Sequence, residues 1–268
     1  ALQSRLAQGC SYAAARTRAV ADLAGEELAA VLTRPNNILG LEYLKAARRL
    51  AFFPQWTAVL RRGAGHDEPG LQNGRMSASH LRLLLERGDW AEAGKGLPEI
   101  CLPLYQQAFV SGKGPVRIEW MERSVLSVLR ARSLEQLERL PDMSEGLENR
   151  LYAGIRQAVS IPQLYQLVQS KRYPQSRIRR TVLHGFLGVT AEIQRETPPY
   201  LRVLGIGAKG EDILKRMKNT AQVPVSQSLY RLQNQGGSAE RFARLEASAT
   251  DQYVLGMPKP LPCGLDFT

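Results

Sequence analysis

Four segments of this 268-residue chain gather side chains suited to holding phosphates or polar base edges. In SASHLR, residues 77–82, Ser77 and Ser79 stand at an expected helix start and Arg82 follows about one turn later. Hydroxyls, free backbone amides, the helix dipole and a guanidinium can together hold a phosphate; a serine cap followed by a solvated arginine is the plainer account. In PNNILGLEYLKA, residues 35–46, Asn36 and Asn37 either cap a helix or offer amide donors and acceptors beside its free N–H groups. In RRGAGHDEPG, residues 61–70, Arg61 closes an expected strand that opens into a Gly-rich loop. That is how α/β folds present a cation and backbone amides at the carboxyl edge of a sheet. His66 and Asp67 in the same loop could move a proton, although a solvated pair is the simpler reading. Finally, KRYPQSRIRR, residues 171–180, sets Lys171, Arg172, Arg177, Arg179 and Arg180 around Tyr173. Cations with one stacking ring suit RNA better than a small anion, and a solvated basic helix face is the competing account.

The charge distribution favours the RNA reading of that last segment. Lysine and arginine number 36 against 25 acids, a net charge of +11, which points to a polyanionic partner. Of these, 23 basic and 15 acidic residues lie beyond residue 100, so the second part holds most of the excess. Between Glu148 and Glu192 there is no acid at all, while Arg150, Arg156 and the five cations just named fall in that gap. Cys10, Cys101 and Cys263 lie far apart without metal-ligand spacing, which argues against a disulfide framework or a zinc site. Mean hydropathy is -0.27, and no apolar run approaches the ~20 residues that span a bilayer. The first twenty residues lack the unbroken apolar stretch of a secretory leader, so the chain is expected to work in the cytoplasm.

The elements that must position these segments follow from periodicity and breakers. Residues 2–32 read as helical up to Arg34-Pro35, and a second helix runs to Ala51. Pro54 to Arg61 reads as a short buried strand, and Ser77 or Ser79 caps a helix ending near Arg87. Together they resemble the closing βα elements of a parallel sheet. Glycine and proline from Trp90 to Pro115 mark the expected boundary, giving an α/β part over 1–100 and a mainly α-helical part over 101–268. Helices are expected at 122–140, 144–158, 161–170, 175–195 and 210–218, a strand at Leu201–Gly205, and an extended tail from Met257.

Read in order, PNNILGLEYLKA, RRGAGHD, MSASHLR, DMSEGLENRL, SKRYPQSRIRRTVLH and YLRVLGIGAKGEDIL resemble the bacterial tRNA(Met) cytidine acetate ligases over almost the whole chain. The resemblance implies an HxGH-type, Rossmann-like nucleotidyltransferase layer followed by a helical tRNA-binding domain. It implies an enzyme that activates acetate with ATP as acetyl-adenylate and transfers the acetyl group to N4 of the wobble cytidine of elongator tRNA(Met); phosphoryl chemistry of this kind ordinarily uses Mg²⁺ to neutralise ATP. By the same resemblance Asn36 or Asn37 and Arg61 contact ATP, Ser77, Ser79 and Arg82 occupy the second phosphate-binding motif, and residues 171–180 face tRNA. The family's Phe-Asn-Pro-Phe-His-Asn-Gly-His-like motif does not occur in these 268 residues, so the resemblance places its catalytic histidines outside them. The loop RRGAGHD is one residue shorter than the family pattern, and His80 replaces a small Thr-like residue. Two other readings remain in view, an RNA-binding module without catalysis and a small-molecule adenylyltransferase. The acid-free basic stretch counts against the second.

Overall fold

The computed structural model describes residues 2–8, 10, 12–60, 70–71, 74–144, 146–170 and 172–267. The chain divides into two compact units, Ala1–Arg61 with Ser170–Arg172, and Arg62–Gln169 with Tyr173–Thr268. The division expected at residue 100 follows the chemistry of the segments, whereas these units part between Arg61 and Arg62.

The first unit is helical: α1 (Leu2–Ala7), α2 (Tyr12–Ala24), α3 (Glu26–Val31) and α4 (Pro35–Arg49). An Arg5–Asp22 ion pair ties α1 to α2. Its buried apolar residues, among those described, are the alanines Ala15, Ala19, Ala29 and Ala47, while Leu39, Tyr43, Leu44, Phe52 and Phe53 are exposed. The helix break at Arg34-Pro35 occurs as expected, with Pro35 at the first helical position where its missing N–H costs nothing. The strand expected from Pro54 does not form in the described residues 54–60, where Trp56, Val59 and Leu60 stand exposed. A strand is held by ladder bonds to a neighbour, and no described residue pairs with this stretch.

The second unit opens with α5 (Ala78–Arg87), α6 (Trp90–Gly96) and α7 (Cys101–Val110). The Gly- and Pro-rich stretch expected to be a boundary is therefore two helices. Gly96 is there for close packing, since a Cβ would meet the Met76 side chain at 2.9 Å. Pro103 sits in the first turn of α7, where proline is tolerated.

The main core belongs to α8 (Glu122–Arg130), α9 (Leu134–Glu138), α10 (Leu147–Gln157), α11 (Ile161–Val168) and α12 (Gln175–Leu187). Val125, Leu129, Leu137, Leu151, Ile155 and Ile178 are fully buried within it. The single helix expected over 122–140 splits because Ser133 and Gln136 form a capping box that starts α9. Likewise the helix expected over 175–195 stops at Gly188, left-handed at φ 77, and restarts as α13 (Ala191–Arg195) capped by Thr190.

Beyond it, β1 (Leu201–Arg202), α14 (Glu211–Thr220) and β2 (Val225–Ser226) form a short parallel βαβ unit in the register Leu201 to Val225. The strand expected over 201–205 keeps two residues, the length its partner offers. Then α15 (Leu229–Gln233) and the nineteen-residue α16 (Gly237–Leu255) build a second small core from Leu229, Leu232, Ala243 and Ala247. The proline-rich tail ends in a single 3-10 turn, Leu265–Phe267, and is pinned rather than loose. Asp251 accepts the Gly264 N–H at 2.7 Å, and Asp266 pairs with Arg202 at 2.6 Å.

Candidate functional site

Asn36 and Asn37 occupy the first turn of α4 in the first unit, both exposed. The N-cap is Arg34 and no side chain caps this helix, so the capping role that competed with ligand binding is not the one they take. Arg61, with His66 and Asp67, lies outside the described residues.

The second unit carries the serine–arginine motif. Ser77 is the N-cap of α5, only 3% exposed, and its Oγ accepts the His80 N–H at 3.2 Å. Its hydroxyl therefore fixes the helix start and aligns the remaining N–H groups outward. Ser79 and Arg82 are three residues apart and share a helix face, half-buried and exposed respectively. That face carries a hydroxyl and a guanidinium near the positive end of a ten-residue helix, a set of groups suited to a phosphate.

Arg82 also lines a cavity of about 340 Å³ with Glu86, Trp90, Tyr105, Phe109, Lys113 and Tyr253. Trp90 and Phe109 meet edge to face with ring centroids 5.2 Å apart. Glu86 is held by Arg117 through one carboxylate oxygen. The sequence reading missed this aromatic wall, whose one local signal is the one-turn spacing of Tyr105 and Phe109.

The basic segment is less uniform than its sequence. Arg172, Arg179 and Arg180 are exposed, and Lys171 lies outside the described residues. Arg177 is drawn to the Asp142 carbonyl and donates to Ser144 Oγ at 2.8 Å. Arg150 donates to the carbonyls of Val168 and Gln169 at 2.7 and 3.0 Å, closing the end of α11. Tyr173, expected to stack on a base, is 6% exposed and packs into the main core with Arg177 5.4 Å over its ring. A tyrosine just before a helix-starting proline is placed to anchor that helix. The gap without acids in sequence also meets one in space, for Arg180 lies 3.4 Å from Asp142.

His184, on α12, is held below the usual histidine range by burial, which outweighs Asp142; Arg180 acts in the same direction as burial. A depressed histidine favours the folded chain above its ordinary pKa and loses that contribution as pH falls. The urea midpoint is accordingly expected to drop between pH 7 and 5, and His184→Gln is expected to flatten that part of the profile. An unchanged slope would show that His184 titrates alike in both states.

Among the described residues no three His, Cys, Asp or Glu side chains converge where a metal ion could sit. Nor is any helix there long and apolar enough to cross a membrane.

The start of α5 and the cavity beside it carry groups of the kind that bind nucleotides, and the family model describing the HIGH nucleotidyl transferases matches residues 1–262. The tRNA(Met) cytidine acetate ligase of Caldanaerobacter subterraneus subsp. tengcongensis is 32% identical, aligned over 100% of this chain and 67% of its own length. That of Clostridium kluyveri is 33% identical over 95% of the chain and 64% of its own. A crystal structure of apo Thermotoga maritima TmcAL superimposes with a TM-score of 0.87 at 29% identity, covering 100% of this chain and 68% of that one. A second, bound with alpha-thio ATP, gives 0.84 and covers 96% and 64%. The chain belongs to the tRNA(Met) cytidine acetate ligase family of HIGH nucleotidyl transferases, and it spans about two thirds of the length of these relatives.

Proposed function

We propose that the protein activates acetate with ATP as acetyl-adenylate and forms N4-acetylcytidine at the wobble position of elongator tRNA(Met), in the cytoplasm. The observation that carries this reading is the likeness along the entire chain to relatives of that name and to a structure that holds an ATP analogue. In the first step an acetate oxygen attacks the α-phosphorus and pyrophosphate leaves. In the second the exocyclic amine of cytosine attacks the acetyl carbonyl, AMP leaves, and the amine gives up one proton. Acetate is a poor acyl donor, and adenylation supplies the leaving group it lacks. A wobble base is unpaired in its loop, so presenting it to a pocket costs little.

The roles follow the chemistry of each segment. Ser79, Arg82 and the amides that Ser77 aligns hold nucleotide phosphates and stabilise the charge that develops on them. Asn36, Asn37 and Arg61 belong to the ATP site of the first unit, and Mg²⁺ would enter with the nucleotide and neutralise part of its phosphate charge. Arg179 and Arg180 of α12 offer a phosphate-binding surface for tRNA, and Lys171 and Arg172 add two cations from the other unit. Tyr173 supports that surface from the core.

Acetate-dependent exchange of labelled pyrophosphate into ATP tests the first step, measured on a protein that carries this chain together with the HxGH-like motif that the family resemblance places outside it. The reading expects exchange that needs acetate and falls at least tenfold in Arg82→Ala, with the thermal melt unchanged because Arg82 is exposed. Exchange without acetate, or normal exchange in the variant, would contradict the assignment.

A further inference from the structure

The cavity beside α5 has a composition that phosphate binding does not explain. Four aromatic side chains reach it from three helices: Trp90, Tyr105, Phe109 and Tyr253. Tyr105, Phe109 and Tyr253 are respectively 47%, 42% and 54% exposed, although aromatic rings bury readily in a core. With about 340 Å³ of space, the site suits one planar ring system rather than a peptide segment or a helix. Its charge is also specific. Lys113 and Arg82 stand on its wall, and Glu86 offers the carboxylate oxygen not taken by Arg117.

Aromatic faces, two cations and one carboxylate are complementary to a nucleotide. Bases stack on aromatic rings, ammonium and guanidinium groups hold the flanking phosphates, and a carboxylate accepts from an exocyclic amine. Uracil has no such amine. We infer that this cavity is the seat for an unstacked, amine-bearing nucleobase of the RNA substrate, with Lys113 on its phosphate and Glu86 on its amine. The inference rests on the ligase reading for the identity of the RNA. It adds the place where the acceptor base is held. Arg82 belongs both to this wall and to the phosphate motif of α5, so a base seated here lies beside the nucleotide that activates the acyl group.

Trp90 reports on occupancy once Trp56→Phe and Trp120→Phe leave it as the sole tryptophan. A pentacytidylate is expected to quench its fluorescence saturably, at least fivefold more tightly than a pentauridylate, and an abasic pentamer of the same backbone is expected to leave it unchanged. Paired Tyr105→Leu and Phe109→Leu substitutions should weaken pentacytidylate binding about tenfold or more, the loss expected when stacking is removed. Lys113→Ala, on the surface and outside the cores, should weaken it several-fold without touching the fold. Equal affinity for the abasic or uridylate oligomer, or no effect of either variant, overturns the seat. The acetate-dependent exchange assay on the same variants, each carried in a protein that also holds the HxGH-like motif, separates the two ideas. Normal exchange with no pentacytidylate binding overturns the seat alone, whereas binding without exchange keeps the seat and sinks the ligase reading.

Discussion

Reversing Arg172, Arg179 and Arg180 to glutamate together is expected to weaken tRNA(Met) binding on the order of 10²–10³-fold near 0.1 M salt. Each phosphate contact releases about 0.9 counterion, so losing three lowers the salt slope of log K by about three. The three side chains are exposed and take little part in the fold. Arg179 lies 5.7 Å over Tyr165, and Arg180 approaches Asp142 at 3.4 Å, contacts worth at most about 1 kcal/mol each. Stability should therefore hold while affinity falls. Arg150→Ala is the informative contrast, because its guanidinium closes the carbonyl end of α11. That change should lower stability and leave the salt slope alone. Filter binding across a salt series, with an unrelated tRNA beside tRNA(Met), reads both, and an unchanged slope in the triple variant would remove this surface from the account.

Arg202→Leu is expected to destabilise the chain by about 3 kcal/mol, because it leaves partly buried carboxylates without their cation. Arg202 binds Glu246 on one side and Asp266, 2.6 Å away, on the other; Tyr200 donates to the same Glu246 at 2.9 Å. The Arg202 and Asp266 side chains are 19% and 14% exposed, so their pair is only partly screened by solvent. In a chain of this size that loss lowers Tm by roughly 6–12 °C. The cluster joins β1, α16 and the closing turn, so limited proteolysis should cut first near the C-terminus. The pH dependence has a definite sign. Burial would raise the Asp266 pKa, but Thr250 and Arg202 together outweigh it and hold the carboxyl below its usual range. Its contribution is present above the ordinary carboxylate pKa and is lost as pH falls through the depressed value. A melt unchanged by Arg202→Leu at pH 7 would show that the cluster contributes nothing net.

The two variants also mark what the sequence made legible. The start of α5 was readable because a serine cap, an amphipathic stretch and a following glycine agree on one helix. The surface arginines of α12 were readable as an excess of one charge, but not their division of labour. Arg150 and Arg177 look identical to Arg179 in the sequence, yet carbonyls and Ser144 claim the first two. Tyr173 was misplaced for a related reason: an aromatic among cations is equally consistent with a stacking surface and with a helix anchor, and only its 6% exposure decides. The strand expected at Pro54 shows the limit of local patterning, since a ladder needs a partner that the run itself does not specify. The Arg202 cluster joins residues 44 and 64 positions apart, and the aromatic cavity draws on residues 90, 105, 109 and 253. Neither has a local signal beyond the one-turn spacing of Tyr105 and Phe109.

The most direct test of the ligase reading is mass spectrometry of tRNA(Met) after incubation with ATP, Mg²⁺, isotopically labelled acetate and a protein that carries this chain together with the family's HxGH-like motif. Labelled N4-acetylcytidine confined to the wobble nucleotide, absent when ATP or acetate is withheld, is the expected result. Bound tRNA that gains no label under these conditions would contradict catalysis and leave an RNA-binding protein in its place.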